Sequence, residues 1–123
     1  MATQPTTDLS KRTPQQIFEH HGQALGAEDP EAVVLDYTDD AYVVTAAAVL
    51  QGKEAIRNFF VNLLQELPKA QWDLNTTFVD DVLYLEWSAD SARASVSDGV
   101  DTFIFKDGHI RLQTVHYTPV EKK

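Results

Sequence analysis

At 123 residues, with 43% hydrophobic and 24% charged residues, the chain is sized and composed as one globular domain with a core of its own, which excludes a collagen, a disordered polymer and a multidomain enzyme. Acidic residues number 19 and basic ones 10, and the net charge of −9 repels phosphate backbones and anionic surfaces, so neither a nucleic acid nor a membrane is expected as a partner. The absence of cysteine removes disulfides, thiolate zinc sites and a cysteine nucleophile and fits a reducing cytoplasm, and no apolar run approaches the ~20 residues of a membrane span.

Residues 1–12 are polar, lack the apolar middle of a signal peptide and read as an unstructured lead-in. The domain proper is expected over residues 13–119, with 120–123 as a tail. Thr13, Pro14 and Gln16 form a capping-box start for a first helix. Ile17, Phe18, Ala24 and Leu25 recur on it at helical spacing, and His21 lies on the same face, four residues from both Ile17 and Leu25. His20 turns about 100° away and is expected to face solvent. Gly22 and Gly26 read as a close-packing face. Asp29-Pro30 caps a short second helix through Val33, Val34 and Tyr37. Asp39-Asp40 is expected to be a turn, Tyr42 to Thr45 a strand, and Ala46 to Gln51 a loop closed by Gly52.

The strongest periodic signal follows: Ala55, Ile56, Phe59, Phe60, Leu63, Leu64 and Leu67 make one apolar helical face, and Pro68 ends the helix. Beyond Pro68 the period changes to two. Trp72, Leu74, Thr76 and Phe78 alternate with polar residues, as do Leu83, Leu85, Trp87 and Ala89 after a turn at Asp80-Asp81. Ala94 to Phe105 makes a long strand bent near Gly99, Asp107-Gly108 a hairpin, and His109 to Thr118 the last strand. Helices followed by an antiparallel meander predict an α+β fold, with the helices on one face of a curved sheet.

Two titratable groups stand out. Asp101 shares its strand face with Phe103 and Phe105 by the period of two. A carboxylate there must be paired, hydrogen-bonded or neutral; the other reading puts it at a sheet edge or bulge near Gly99, in water. His21 on its inward face is either a proton donor, acceptor or shuttle near neutral pH, or a core histidine satisfied by a backbone carbonyl. The register of the last hairpin decides what joins Asp101. A two-residue turn sets it opposite Thr114, with His116 beyond; a bulged three-residue loop sets it opposite Gln113, with Val115 and Tyr117 on that side. The histidines are scattered and no HExxH or EF-hand spacing occurs, so no metal is expected, nor any cofactor.

The order of the motifs Leu25-Gly-Ala-Glu-Asp-Pro, Tyr37-Thr-Asp-Asp-Ala-Tyr-Val, Gly52-Lys-Glu-Ala-Ile-Arg-Asn-Phe-Phe, Trp87-Ser-Ala and Val100-Asp-Thr-Phe-Ile-Phe-Lys-Asp-Gly-His-Ile resembles the nuclear transport factor 2-like superfamily, which includes ketosteroid isomerases and SnoaL-like cyclases. The resemblance implies a cone-shaped, cystatin-like α+β barrel: a curved antiparallel sheet wrapped around three helices, with a pocket at one end. It also implies a homodimer paired through the sheet. It aligns Asp101 with the pocket acid of the isomerases, a carboxyl kept protonated by its apolar site, and His21 with their tyrosine donor. It favours the register that brings Gln113 to the pocket. Tyr37, Phe59, Phe60, Leu63, Trp87, Phe103 and Tyr117 would then line the wall of a site for a small apolar or aromatic molecule, or else simply fill the core. Trp72 could serve packing or a dimer face.

Thr45, which the resemblance also places on the pocket wall, stands where the isomerases carry their general-base carboxylate, and a hydroxyl cannot abstract a carbon-bound proton at neutral pH. Steroid isomerisation by that route is therefore not expected. The expectations left open are acid–base chemistry of another kind by Asp101 and His21 (cyclisation, dehydration, epoxide opening), a non-catalytic ligand-binding or accessory domain, and a dimerisation module whose cone is filled by rings.

Overall fold

The computed structural model describes residues 9–122. Three helices, α1 (Pro14–Gly26), α2 (Pro30–Val34) and α3 (Lys53–Glu66), pack with seven strands: β1 (Tyr37–Val44), β2 (Val49–Gln51), β3 (Gln71–Val79), β4 (Val82–Asp90), β5 (Ala94–Lys106), β6 (His109–His116) and β7 (Val120–Glu121). The strands form one curved, open sheet in the order β2-β1-β6-β5-β4-β3, with β7 added against the start of β5. The α+β class holds. The sheet, however, is mixed and does not close into a barrel, because β1 runs parallel to β6 while every other pair is antiparallel. The chain reaches β1 before the meander and β6 at its end, so the two meet only across the crossover through α3.

Local chemistry sets the boundaries. Thr13 caps α1 reciprocally with Gln16, and the buried stripe of α1 is Ile17, His21 and Ala24. α2 stops after five residues, so Tyr37 leaves the helix and opens β1, its Cα paired with Ile110. Asp39-Asp40 belongs to β1 and is no turn: the register against β6 shifts between Tyr37 and Tyr42, which lets both acids bulge outward, Asp39 to Lys53 (3.4 Å) and Asp40 to Arg111 (3.8 Å). The expected loop before Gly52 contains β2, which pairs with β1 around a tight turn at Thr45.

The β5–β6 hairpin follows neither anticipated register. Lys106 pairs with His109 around the two-residue turn Asp107-Gly108, both with positive φ (52° and 75°). Glycine is needed at 108 for a second reason, since a Cβ there would sit 1.9 Å from the Leu9 carbonyl oxygen. A bulge then shifts the pairing between Ile104 and Phe105, so that Asp101 lies opposite Val115 and Phe103 opposite Gln113. The bulge restores the facial outcome of the longer loop: Gln113, Val115 and Asp101 share the inner face. A second bulge, where Trp87 pairs with Gly99 but Ala89 with Val96, bends β5 beside Gly99 as the sequence suggested.

Residues 9–12 are ordered, against the expectation of an unstructured lead-in; residues 1–8 lie outside the described residues. Leu9–Lys11 forms a 3-10 turn. Arg12 donates from Nε and Nη2 to the Gly108 carbonyl (3.2 and 3.0 Å) and from Nη1 to Asp36 Oδ1 (2.7 Å). His20 does not simply face solvent either: its Nδ1 lies 2.8 Å from both oxygens of Asp36, which is fully buried. Likewise part of the expected tail is a strand, β7, which pairs Val120 with Ser95.

Removing one partner of a buried ion pair leaves the other charge uncompensated, so Arg12→Ala is expected to cost about 3 kcal/mol. Urea unfolding checks this; Asp36→Asn in the same background should recover part of the loss, and an unchanged midpoint for Arg12→Ala would contradict it.

Candidate functional site

The inner sheet face, α1 and α3 enclose a cavity of about 90 Å³. A single water needs ~10–15 Å³, so the space holds several waters or part of a small molecule. Its walls are mostly apolar; the polar side chains among the described residues are Asp101 on β5, Gln113 on β6, His21 on α1 and, at the edge, the Tyr117 phenol. Phe59, Phe60 and Leu63 supply the α3 wall, and Trp87, Phe103 and Tyr117 the sheet side.

Two expected residues lie elsewhere. Tyr37 is fully buried one layer behind the wall, where its hydroxyl donates to Gln113 Oε1. Thr45 is outside the cavity: its Oγ1 accepts from Ala47 and Ala48 N–H (3.1 Å each) and holds the β1–β2 turn. The position where the resemblance places a catalytic base is therefore a turn-forming position in this chain. Gly22 was read as a packing glycine, but a Cβ there would meet nothing within 4 Å, and the residue lines the cavity. The signal available in the sequence was a mid-helix glycine on His21's own helix, which costs about 0.5–1 kcal/mol against alanine and calls for a reason.

Asp101 is 6% exposed, in the interior of the sheet rather than at an edge. Both its oxygens accept hydrogen bonds: Oδ1 from Trp87 Nε1 (3.0 Å) and Oδ2 from Gln113 Nε2 (2.9 Å). Trp87 reaches it by lying over Gly99, where a Cβ would fall 2.3 Å from the indole ring. Burial pushes the Asp101 carboxyl up to about 6, and the two hydrogen bonds, which favour the charged form, hold it from going higher. Among the described residues no lysine or arginine lines the cavity to offset this charge.

His21 is enclosed by the rings of Phe18, Tyr37, Phe60 and Phe103, with centroids 5.5–6.0 Å away. Its Nδ1 is buried with no hydrogen-bond partner, so the backbone carbonyl that a satisfied core histidine would use is absent. Burial lowers its pKa to about 4, opposed in part by Asp36, which leaves the ring neutral at pH 7. No hydrogen bond joins His21 to Asp101 among the described residues. At the cavity's edge, Tyr117 donates to Glu66 Oε1 (2.7 Å). Burial first, then Glu66, raises its phenol well above the ordinary value. Among the described residues no three acidic or histidine side chains gather as a metal site, and no helix is long and apolar enough to cross a membrane.

A curved open sheet over three helices is the architecture of the nuclear transport factor 2-like class of small α+β domains. Within that class the chain belongs to the SnoaL-like domain family, whose family model matches residues 18–113. No curated protein matches. Solved structures share the fold at low identity. An NTF2-like protein of unknown function from Cytophaga hutchinsonii is 13% identical over 96% of this chain and 95% of that one, with a TM-score of 0.72. An uncharacterized cystatin-fold protein from Novosphingobium aromaticivorans is 16% identical over 85% and 97%, TM-score 0.71. The epoxide hydrolase/cyclase-like enzyme SalBIII, described as having a role in pyran ring formation in polyether salinomycin, is 16% identical over 85% and 90%, TM-score 0.73.

The two buried groups oppose each other in acid. Asp101, with its folded-state pKa raised from 3.8 to about 6, makes the native state bind the extra proton, so its burial penalty of about 3 kcal/mol is full above pH 6 and disappears as pH falls towards 4. His21, lowered from 6.5 to about 4, makes the unfolded state bind the extra proton, so a similar amount, about 3 kcal/mol, is lost as pH falls through the same window. The two contributions nearly cancel in the wild type. Asp101→Asn removes one of them, and urea midpoints for this variant should fall between pH 7 and pH 4.5 more steeply than those of the wild type; parallel profiles would contradict the assignment.

Proposed function

We propose that this protein is a cofactor-free acid–base enzyme acting on a small apolar molecule, with Asp101 as proton acceptor and His21 as hydrogen-bond donor to the substrate oxygen that gains charge. One observation carries the reading: a carboxylate with an elevated pKa, its two oxygens oriented by neutral donors, faces a mostly apolar cavity that His21, its Nδ1 buried without a partner, also lines. Near neutral pH such a carboxylate is ionised yet more basic than an exposed one, and so suited to take a proton and return it. A neutral histidine polarises an oxygen without needing a charge of its own. Cyclisation, dehydration and epoxide opening all fit this pair, and the structural likeness to an epoxide hydrolase/cyclase-like enzyme is consistent with them.

A second reading, a non-catalytic ligand-binding domain, is favoured by one observation: among the described residues Asp101 is the sole carboxylate lining the cavity, and the position aligned with a family base is the turn residue Thr45. We further propose that two copies pair through the outer sheet face, where Tyr84 and Ile104 lie exposed beside Thr77, Thr102 and Leu112, and that the protein works in the cytoplasm, as its lack of cysteine suggests.

Native mass spectrometry of freshly purified protein reports the assembly and any retained molecule together. Gly22→Leu should fold at least as stably as the wild type, because leucine is the better helix former, and should lose that molecule by filling the cavity. Turnover of the molecule so identified should be at least ~100-fold slower with Asp101→Asn than with the wild type. An unchanged rate in this variant would end the catalytic reading.

A further inference from the structure

We propose that the cavity selects a neutral, hydroxyl-bearing molecule, gripped by its hydroxyl between Asp101 and His21, and rejects carboxylates and ammonium ions. The inference rests on Asp101 being the cavity's proton acceptor and goes beyond that reading by fixing which group the ligand presents.

The hydrogen-bond inventory of the wall determines the choice. Trp87 Nε1 can only donate, and it donates to Asp101 Oδ1. The Gln113 amide is oriented by the Tyr37 hydroxyl, which occupies Oε1 and turns Nε2 towards Asp101 Oδ2. Asp101 is thus held as an acceptor on both oxygens, and each carboxylate oxygen, with two lone-pair sites, keeps one for a ligand. The ligand must bring a donor.

His21 supplies the other half. Its Nδ1 is buried without a partner. A bare nitrogen lone pair is tolerated in that position better than an orphaned N–H, which assigns the proton to Nε2, the ring nitrogen left for the cavity. The ligand must therefore accept there. A hydroxyl is the smallest group that does both, giving its hydrogen to Asp101 and taking one from His21. A carboxylate only accepts and would meet the Asp101 charge with no lysine or arginine on the wall to offset it. An ammonium only donates: it could pair with Asp101, but it offers the His21 Nε2–H no acceptor and must give up its water shell inside a mostly apolar wall.

Size limits the rest. The cavity, about 90 Å³, is smaller than the ~150 Å³ of an engineered apolar cavity that holds benzene. It reaches solvent beside Leu74, a lining residue that is 43% exposed. The hydroxyl end of a ligand and the near edge of a ring fit inside, and the remainder rests at that opening against Leu74 and Trp72.

Three molecules of one shape test this: benzyl alcohol, benzylammonium and benzoate. Each is titrated at pH 7.5 into isotopically labelled protein, following the indole N–H resonance of Trp87, the group bonded to Asp101; a Trp72→Phe variant assigns it. The expected result is a saturable shift with benzyl alcohol, at an affinity at least tenfold tighter than for either ion. In Asp101→Asn the preference for the alcohol over benzoate should shrink to within threefold. Benzoate or benzylammonium binding as tightly as the alcohol to the wild type overturns the proposal, and so does the lack of a shift with any of the three up to its solubility limit. Because the readout is a resonance and not turnover, selective binding of the alcohol by a protein that transfers no proton would support this inference while ending the catalytic one.

Discussion

The carboxylate of Asp101 governs this domain. It sits on the inner face of β5, in the interior of the sheet, with phenylalanine on the same strand face and an apolar hollow in front of it. Such a group costs several kcal/mol to desolvate unless it is neutralised or bonded. The fold answers with donors that carry no charge. Gly99 clears a berth for the Trp87 indole, the β6 bulge brings Gln113 to the inner face, and Tyr37 turns the Gln113 amide the right way. Features that look unrelated along the chain are in this sense consequences of one acid: a glycine in a strand, an irregular hairpin, a tyrosine at the start of another strand.

Much of the architecture was legible because it is written in period. The i, i+3, i+4 stripe of α3 and the alternation of β3, β4 and β5 mark the elements, and the motif order marks the superfamily. What was not legible lay where tertiary contacts override local signals. Asp39-Asp40 has turn chemistry, yet it runs as strand on a bulge of β1, where both acids reach solvent beside Lys53 and Arg111. The pairing of β1 alongside β6 leaves no mark in either segment, since a parallel neighbour is chosen by the path of the whole chain. The hairpin register could be narrowed to two alternatives and was met by a third, a two-residue turn corrected by a bulge three residues later. Turn chemistry at Asp107-Gly108 specifies the first of these features and says nothing about the second.

The site was legible to a similar degree. The face shared by Asp101, Phe103 and Phe105, and the face shared by Ile17, His21 and Leu25, each follow from spacing alone. That both faces border the same hollow does not. Tyr37 was placed on the wall because it is aromatic, and in fact it works one layer back, through Gln113; side-chain type gives no measure of depth. Thr45 was placed by alignment with a position that this chain uses to close a turn. Nor does the fold decide the chemistry, since solved structures that superpose well at under 20% identity include proteins of unknown function beside an enzyme.

The chain buries a second acid, and the contrast between the two separates structure from chemistry. Asp36 is fully buried at the other end of α1's reach, and it is met by the Arg12 guanidinium and the His20 ring. Its charge is matched by charge and by a fork of donors, so it has nothing left to offer a ligand, and it fastens the N-terminal segment, α1 and the β5–β6 turn to one another. Asp101 has only dipoles for company. Neutral donors orient a carboxylate without cancelling its field, so its negative charge remains available to the one direction left open, the cavity. Had evolution required only a stable core at position 101, an apolar residue matching Phe103 would serve better than an acid that needs three other side chains to be tolerated. That no cation lies beside Asp101 among the described residues, while Arg12 lies beside Asp36 in the same small domain, is the physical reason behind the proposal that the first meets a ligand while the second fastens the fold.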